Sequence, residues 1–282
     1  MLEDPAAAVE RIYHEMYARM EQIAVGEAKV PTRFPVIFKD HFSRHAADYA
    51  KFRPRYPSEL FAYLASISPS RGRAWDCATG NGQAAIALAT QFDSVIATDA
   101  SAKQIENAPA DQRVQYRAAA AEESGLESHA IDLITVAQAL HWFDLSRFWT
   151  EAKRVLKPQG VLAFWSYNVV SVAPEIDRIT DRFYRKTVGP FWPPERAIVE
   201  AGYRTIDFPF HEIDPPLFRM ETRWTLDQLL GYLRTWSATQ KFIVANNFDP
   251  VHQLESELTE VWQPHDAPRT IVWPLSLRVG RV

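Results

Sequence analysis

Between Arg73 and Tyr167 the sequence alternates short apolar runs with stretches of helical periodicity. In chain order the segments are AWDC, GQAAIALATQ, SVIATD, VQYRA, IDLITVAQA, DLSRFWTEAKRVL and GVLAFWSY. Strands that alternate with helices in this way form a parallel sheet with helices on both faces. Ligands of such sheets bind outside the carboxyl ends of the strands, where the strand order reverses. The sequence therefore predicts an α/β fold with its site at these strand ends.

The regions on either side of this alternation have a different character. Before it lie an amphipathic helical pattern, a second helix that ends near Tyr49, the break RPRYP and a further helix from Ser58. After it, repeated prolines interrupt the rhythm, and helices are expected from about Leu226 to Asn246 and from about Val251 to Trp262. We interpret the chain as an amino-terminal helical extension (1–37), a core (38–168), an aromatic-rich cap (169–265) and a final strand that rejoins the core sheet (266–282).

Composition excludes several classes of function. The chain has 282 residues and a formal net charge of −4, without the basic excess that nucleic-acid binding needs. A single cysteine, Cys77, leaves no disulfide framework and no multi-cysteine metal site, and we expect no bound metal. The first residues are acidic where a signal peptide is basic, and no apolar run approaches the ~20 residues of a membrane span. The sequence predicts a cytoplasmic protein with no membrane or nucleic-acid partner.

Glycine is scarce, with ten in the chain, yet two of them fall within the segment from Trp75 to Ala85 between a predicted strand and a predicted helix. Gly80 and Gly82 allow a tight turn and a close approach of the backbone to a ligand. With Ala85 they satisfy the dinucleotide-binding pattern G-x-G-x-x-[GA], and Asp99 follows at nearly the spacing of a ribose-binding acid. On this pattern alone a nicotinamide-dependent oxidoreductase is a candidate.

Asp76 favours a different ligand. A carboxylate at the end of the strand, four residues before Gly80, would repel a pyrophosphate at this turn. S-adenosylmethionine carries an ammonium and a sulfonium, which a carboxylate attracts, and its ribose hydroxyls suit the acceptor oxygens of Asp99. We therefore expect S-adenosylmethionine, with Asp76 near its methionine end and Asp99 at its ribose, and keep the nicotinamide enzyme as the alternative.

Further segments extend this pattern along the chain. They are Ala121-Glu122 after the third predicted strand, IDLI and AQALHWFD around the fourth, and RVLKPQG before the fifth. Together with D-x-A-x-G-x-G from Asp76 and the acid Asp99, these segments resemble the class I S-adenosylmethionine-dependent methyltransferases. Within that family, Gln138 with HWFD, the upstream Tyr49 and RPRYP, and the later TWS are most similar to small-molecule methyltransferases related to trans-aconitate methyltransferase.

This resemblance implies a Rossmann-like sheet of seven strands, mostly parallel with the last strand antiparallel, sandwiched by helices and joined to a mainly helical cap. It also implies S-adenosylmethionine as cofactor and S-adenosylhomocysteine as product. The cofactor-binding residues that it implies are Tyr49, Arg53, Asp76, Ala78, Gly80, Asn81, Gly82, Asp99, Ala100, Ser101, Ala121, Glu122 and Gln138. Two positions depart from the family pattern: Ala78 replaces a commoner glycine, and Ala120 replaces an acid near the adenine.

Methyl transfer from a sulfonium is an in-line displacement, so alignment and exclusion of water matter more than a catalytic triad. The candidate substrate-binding residues are His141, Trp142 and Trp236, and His141 is the candidate catalytic residue. It would act as a base toward a hydroxyl or amine, whereas a carboxylate acceptor would need positioning alone. We expect a small-molecule acceptor, possibly a carboxylate, and a monomer or homodimer, with a non-catalytic S-adenosylmethionine-binding protein as a further alternative.

Overall fold

The computed structural model describes residues 54–282. The predicted amino-terminal helix and the candidate residues Tyr49 and Arg53 lie outside the described residues. The helices are α1 (Ser58–Ile67), α2 (Gln83–Leu88), α3 (Ala102–Glu106), α4 (Leu145–Val155), α5 (Pro174–Arg182), α6 (Arg196–Glu200), α7 (Leu226–Arg234), α8 (Ser237–Asn246) and α9 (Val251–Val261). The strands are β1 (Arg73–Cys77), β2 (Ser94–Asp99), β3 (Val114–Ala118), β4 (Ile131–Ala137), β5 (Leu156–Tyr167), β6 (His211–Ile213), β7 (Arg219–Trp224) and β8 (Arg269–Arg281).

The main sheet has the strand order β3-β2-β1-β4-β5-β8-β6. Strands β1 to β5 pair in parallel, and β8 runs antiparallel to both β5 and β6. The sequence-based expectation of a mostly parallel, Rossmann-like sheet with an antiparallel last strand is confirmed. Because the order reverses at β1, the carboxyl ends of β1 and β4 frame the crevice in which such folds bind ligands.

The long strand β8 joins the core sheet to the cap. Its first half pairs with β7, and its second half pairs with β5. The change of partner comes at Pro274, which faces Arg219 of β7, while the next residue, Leu275, faces Tyr167 of β5. Proline has no N–H to donate and interrupts a hydrogen-bonded ladder, so it fits the point where one sheet ends and the next begins. The region predicted as the cap therefore contributes one strand, β7, that pairs outside the main sheet order, and a second, β6, that extends the main sheet.

Each face of the sheet has its own apolar core, because successive side chains of a strand point to opposite faces. Trp75 of β1 and Phe164 of β5 belong to the core that α4 covers, whereas Ala74 and Trp165 belong to the core that α1 and α2 cover. All four are fully buried. Strands buried on both faces read as continuous apolar runs, which explains the runs in the sequence.

One sequence-based expectation about the cap is wrong. The helix expected from about Leu226 to Asn246 is two helices, α7 and α8, separated at Thr235 and Trp236. Trp236 takes an extended conformation (φ −65°, ψ 134°), and its ring is buried against Tyr184 and Tyr232 at centroid distances of 5.6 and 5.9 Å. Burial of this large aromatic ring outweighs the small gain from continuing a helix.

Candidate active site

The turn between β1 and α2 has an unusual backbone. Ala78, Gly80 and Gly82 have φ angles of 55°, 57° and 81°, a region that side chains with a Cβ disfavour. The two glycines adopt these angles without cost, whereas Ala78 carries backbone strain at the point where it replaces a glycine of the motif. The backbone N–H of Gly82 donates to the carbonyl oxygen of Thr79 at 3.0 Å, which closes the turn.

Asp76 lies beneath this turn, and its contact with the methionine end of the cofactor stays a prediction. The side chain is buried, and its carboxylate accepts hydrogen bonds from the hydroxyls of Thr79 (2.6 Å) and Thr135 (2.7 Å). Burial raises the pKa of Asp76 to about 6, although both hydroxyls act in the opposite direction. Because two threonines enclose it, Asp76 ties the turn to β4 and shapes the site from below.

Asp99, at the end of β2, lies beside the turn as predicted. Its carboxylate accepts hydrogen bonds from the backbone N–H of Gly80 at 2.9 Å and of Ser101 at 2.8 Å. These bonds join the loops that follow β1 and β2. A carboxylate has two acceptor oxygens with two lone pairs each, which is the chemistry that ribose hydroxyls need.

The two glycines of the turn give a matched pair of substitutions. A Cβ on Gly82 would lie 2.5 Å from the Tyr116 hydroxyl and 3.2 Å from the Cβ of Ala108, whereas a Cβ on Gly80 meets no atom of the described residues within 4 Å. Both alanines carry the left-handed penalty of roughly 1–2 kcal/mol. We expect Gly82→Ala to lower the free energy of unfolding by about 1 kcal/mol more than Gly80→Ala, because overpacking adds its own cost.

Urea unfolding of the two variants measures this difference. If both variants lose the same free energy of unfolding, the Tyr116 side chain moves aside at no cost, and the prediction is wrong. For Gly80→Ala we also expect weaker cofactor binding in calorimetry, because its new methyl group would project into the open space above the turn.

The remaining candidate cofactor residues follow β1, β2 and β3 at the same edge of the sheet. The side chain of Glu122 accepts a hydrogen bond from the backbone N–H of Asp144 at 2.8 Å, which joins the loop after β3 to the start of α4. Ala121 and Ser101 are buried, Asn81 is half-buried and Ala100 is exposed. The structure therefore places these residues in adjoining loops above the strand ends.

A cavity of about 110 Å³ lies at the carboxyl ends of β4 and β5. It brings together the predicted residues Gln138, His141, Trp142 and Trp236. Further aromatic rings in its wall come from Tyr167, Trp192 and Tyr232, and further polar side chains come from Asn168, Arg196 and Ser237. Residues that follow β4 and β5 form one wall, and residues between Trp192 and Ser237 form the other. The two candidates His141 and Trp236 therefore line the same cavity.

Gln138 marks the end of β4 with a strained backbone. Its φ angle is 57°, in the left-handed region, and its backbone N–H donates to the carbonyl oxygen of Trp165 at 2.9 Å. The side-chain amide donates to the carbonyl oxygen of Tyr167 at 3.2 Å. Strain of this kind persists where the surroundings hold it in place, and it concentrates at functional sites.

His141 is a neutral, hydrogen-bonded side chain in the cavity wall. Its Nδ1 lies 2.9 Å from the Tyr203 hydroxyl. Burial, followed by the positive charge of Arg196, lowers the pKa of His141 to about 3. A base this weak accepts a proton poorly at neutral pH. The lowered pKa therefore favours a positioning role for His141, and the catalytic-base role stays the alternative from the sequence.

The lowered pKa of His141 predicts a change in acid stability. In the unfolded chain this histidine has the ordinary pKa of 6.5 and is protonated below that pH. In the folded chain it stays neutral until the pH falls to about 3. The free energy of unfolding is therefore unaffected by this group above pH 6.5. It decreases as the pH falls from 6.5 toward 3, because only the unfolded chain binds the proton. Relative to His141→Asn, the wild type should lose about 1.4 kcal/mol for each pH unit below 6.5.

Chemical denaturation of both proteins at pH 7.0, 6.0 and 5.0 measures this prediction. The same substitution at the exposed His252 is the control for loss of a histidine in general. If the free energy of unfolding changes equally with pH in the wild type and in His141→Asn, the lowered pKa of His141 is contradicted.

Among the cavity residues that the sequence analysis missed, Arg196 is the one that carries a charge. Its Nε donates to the Tyr184 hydroxyl at 2.6 Å, and its guanidinium lies 4.8 Å from the centroid of the Trp192 ring. The available signal was an arginine in the segment FWPPER, where tryptophan and two prolines precede it. Periodicity did not single it out because α6, the helix that Arg196 begins, has only five residues.

Within residues 54–282 no helix is long and apolar enough to cross a membrane. The described part of the chain also has no group of three His, Cys, Asp or Glu side chains arranged to hold a metal ion.

Comparisons with known proteins agree with this geometry. A family model described as a methyltransferase domain matches residues 75–164, from β1 into β5. A candidate methyltransferase of Dictyostelium discoideum is 34% identical over 247 residues, which cover 86% of this chain and 93% of that protein. The probable S-adenosylmethionine-dependent methyltransferase CRG1 of Saccharomyces cerevisiae is 27% identical over 131 residues, 43% of this chain and 45% of that protein.

A solved structure has the same architecture. It is that of a candidate type II methyltransferase from Anaeromyxobacter dehalogenans, which is 43% identical and superposes with a TM-score of 0.78 over 82% of this chain and 98% of that one. Fold, glycine turn and sequence similarity agree, and they remove the nicotinamide-dependent oxidoreductase from consideration. The chain belongs to the class I S-adenosylmethionine-dependent methyltransferases, enzymes that use S-adenosylmethionine as methyl donor.

Proposed function

We propose that this enzyme transfers the methyl group of S-adenosylmethionine to a small molecule that carries a carboxylate. The observation that carries the proposal is Arg196, a guanidinium in the wall of the aromatic cavity at the carboxyl ends of β4 and β5. Its described contacts are with the Tyr184 hydroxyl, the Asn168 side chain and two aromatic rings, and none of these groups is a carboxylate. Arginine is suited to bind a carboxylate through paired hydrogen bonds.

The cofactor would lie above the glycine turn. Gly80 and Gly82 leave the backbone open to close approach, and Asp99 offers acceptor oxygens for the ribose hydroxyls. The loop of Ala121 and Glu122 would border the adenine. Cofactor contacts by Asn81, Ala100, Ser101, Gln138, Tyr49 and Arg53 stay predictions from the resemblance.

His141 suits a carboxylate acceptor better than an alcohol or an amine. A carboxylate is already ionised at neutral pH and needs no base, whereas an alcohol or an ammonium must lose a proton. Because the pKa of His141 is lowered to about 3, its ring would orient the acceptor by hydrogen bonding. The sequence resemblance to trans-aconitate methyltransferase points to the same acceptor class.

The aromatic wall would exclude water from the reacting groups. Trp236 and Tyr232 are almost fully buried, whereas Trp142 is about one-third exposed at the cavity's edge. Loss of water around the sulfonium and the attacking oxygen strengthens the electrostatic forces that align them. Apolar contact with the rings would also favour acceptors that have a planar or hydrocarbon part.

Incubation with methyl-labelled S-adenosylmethionine and a panel of small acids tests this function. Benzoate, cinnamate, aconitate and succinate would be compared with benzamide, benzyl alcohol and benzylamine at equal concentration. We expect label in one or more of the acids and none in the neutral or cationic analogues. Transfer confined to the amine or the alcohol would contradict the proposed acceptor class.

A further inference from the structure

Arg196 has an acidic neighbour, Glu200, with which it forms no direct ion pair in the described contacts. Arg196 and Glu200 are the first and last residues of α6, four positions apart. Side chains at this spacing lie on the same helix face, and opposite charges there ordinarily form an ion pair. An ion pair with Glu200 would occupy the nitrogens that a substrate carboxylate needs.

The hydroxyl of Tyr184 lies between these two charges. It donates a hydrogen bond to Oε1 of Glu200 and accepts one from Nε of Arg196 at 2.6 Å. Tyr184 belongs to the π-helical turn Phe183–Thr187 that follows α5, and turns of this kind occur frequently at functional sites. One buried hydroxyl therefore engages the carboxylate and the inner edge of the guanidinium together.

Aromatic faces and an amide hold the rest of the guanidinium. It lies 4.8 Å from the ring centroid of Trp192 and 5.3 Å from that of Tyr184. Nη2 contacts Oδ1 of Asn168 at 3.5 Å, and the amide of Asn168 donates to the backbone carbonyl of Glu200 at 3.3 Å. These contacts hold the guanidinium in the wall of the cavity that Arg196 lines.

We propose that Tyr184 is a positioning residue: its hydroxyl holds the Glu200 carboxylate away from Arg196, so that the guanidinium stays free to bind the carboxylate of the acceptor. This inference rests on the proposed function, because it assigns Arg196 to the acceptor. Burial raises the pKa of Tyr184, and the phenol therefore remains protonated and able to donate to Glu200 at neutral pH.

The variant Tyr184→Phe removes the hydroxyl and keeps the ring. Glu200 would then pair directly with Arg196 and compete with the acceptor. With the best acid of the panel as acceptor, we expect KM to rise about tenfold, the effect of one competing charged hydrogen bond. We expect kcat to change less than about threefold, because the reacting groups themselves are intact.

A second substitution distinguishes this mechanism from damage to the cavity. Glu200→Gln in the Tyr184→Phe background removes the competing charge, and we expect it to restore at least half of the loss in KM on a logarithmic scale. The matched control Tyr63→Phe removes a hydroxyl on α1, outside the cavity, and should leave KM unchanged. No recovery in the double variant would overturn the inference.

A crystal structure of Tyr184→Phe gives a readout that needs no acceptor. We expect an ion pair between Arg196 and Glu200, within the ~3 Å of charge-assisted hydrogen bonds. If the two groups stay apart, the inference fails even if the panel confirms a carboxylate acceptor. If they pair while no acid is ever methylated, the proposed acceptor class fails and the role of Tyr184 toward Arg196 stands.

Discussion

Replacement of Arg196 with methionine is expected to lower kcat/KM for the carboxylate acceptor by about a hundredfold, or about 3 kcal/mol. Methionine keeps the length and apolar stem of the side chain but removes the cation. A substrate carboxylate in the cavity would then be desolvated without a partner, which is costly. Steady-state kinetics with labelled S-adenosylmethionine measure the effect.

Two observations accompany this experiment. Arg196→Lys keeps the charge but not the planar pair of donors, so its kcat/KM should fall between those of the wild type and Arg196→Met. Calorimetry should show unchanged affinity for S-adenosylmethionine in both variants, because Arg196 lies in the cavity wall and not at the glycine turn. An unaltered kcat/KM in Arg196→Met would show that the acceptor is bound elsewhere.

The second large effect is expected at Asp99. Asp99→Ala should weaken the binding of S-adenosylmethionine by about a hundredfold, because hydrogen bonds to a charged acceptor contribute about 1.5–3 kcal/mol each. The substitution also removes the acceptor of the Gly80 and Ser101 backbone N–H groups, which loosens the turn. Asp99→Asn retains one acceptor oxygen and should lose less affinity.

Calorimetric titration with S-adenosylmethionine and S-adenosylhomocysteine measures these affinities. Asp111→Ala is a suitable control, because Asp111 is an acid outside the proposed site that pairs with Arg113 in the loop before β3. Circular dichroism should show that Asp99→Ala keeps the fold. Equal affinity in the wild type and Asp99→Ala would contradict the assignment of this carboxylate to the ribose.

The sequence predicted the core well because local pattern and tertiary structure agree there. Apolar runs such as SVIATD become strands buried on both faces, and the spacing of Gly80 and Gly82 reflects backbone angles that few other residues adopt. Asp99 was predicted at a strand end next to this turn, and parallel strands necessarily bring such ends together. Propensity, periodicity and turn chemistry all favoured one arrangement.

The rest depended on contacts between distant parts of the chain. The break between α7 and α8 follows from the burial of Trp236 among rings from other segments. Asp76 is enclosed by Thr135, 59 positions away, and its burial was not evident from the turn alone. Arg196 begins the five-residue helix α6, which is too short for a helical period to mark the residues that face inward.

A crystal structure of the enzyme with S-adenosylhomocysteine and its preferred acid would show the proposed cofactor site and the proposed acceptor site together. We predict the nucleoside above the turn of Gly80 and Gly82, with its ribose hydroxyls bonded to Asp99. The acid should lie in the aromatic cavity beside His141 and Trp236, with its carboxylate within hydrogen-bond distance of the Arg196 guanidinium. An acid bound outside this cavity, or inside it with its carboxylate turned away from Arg196, would contradict the account.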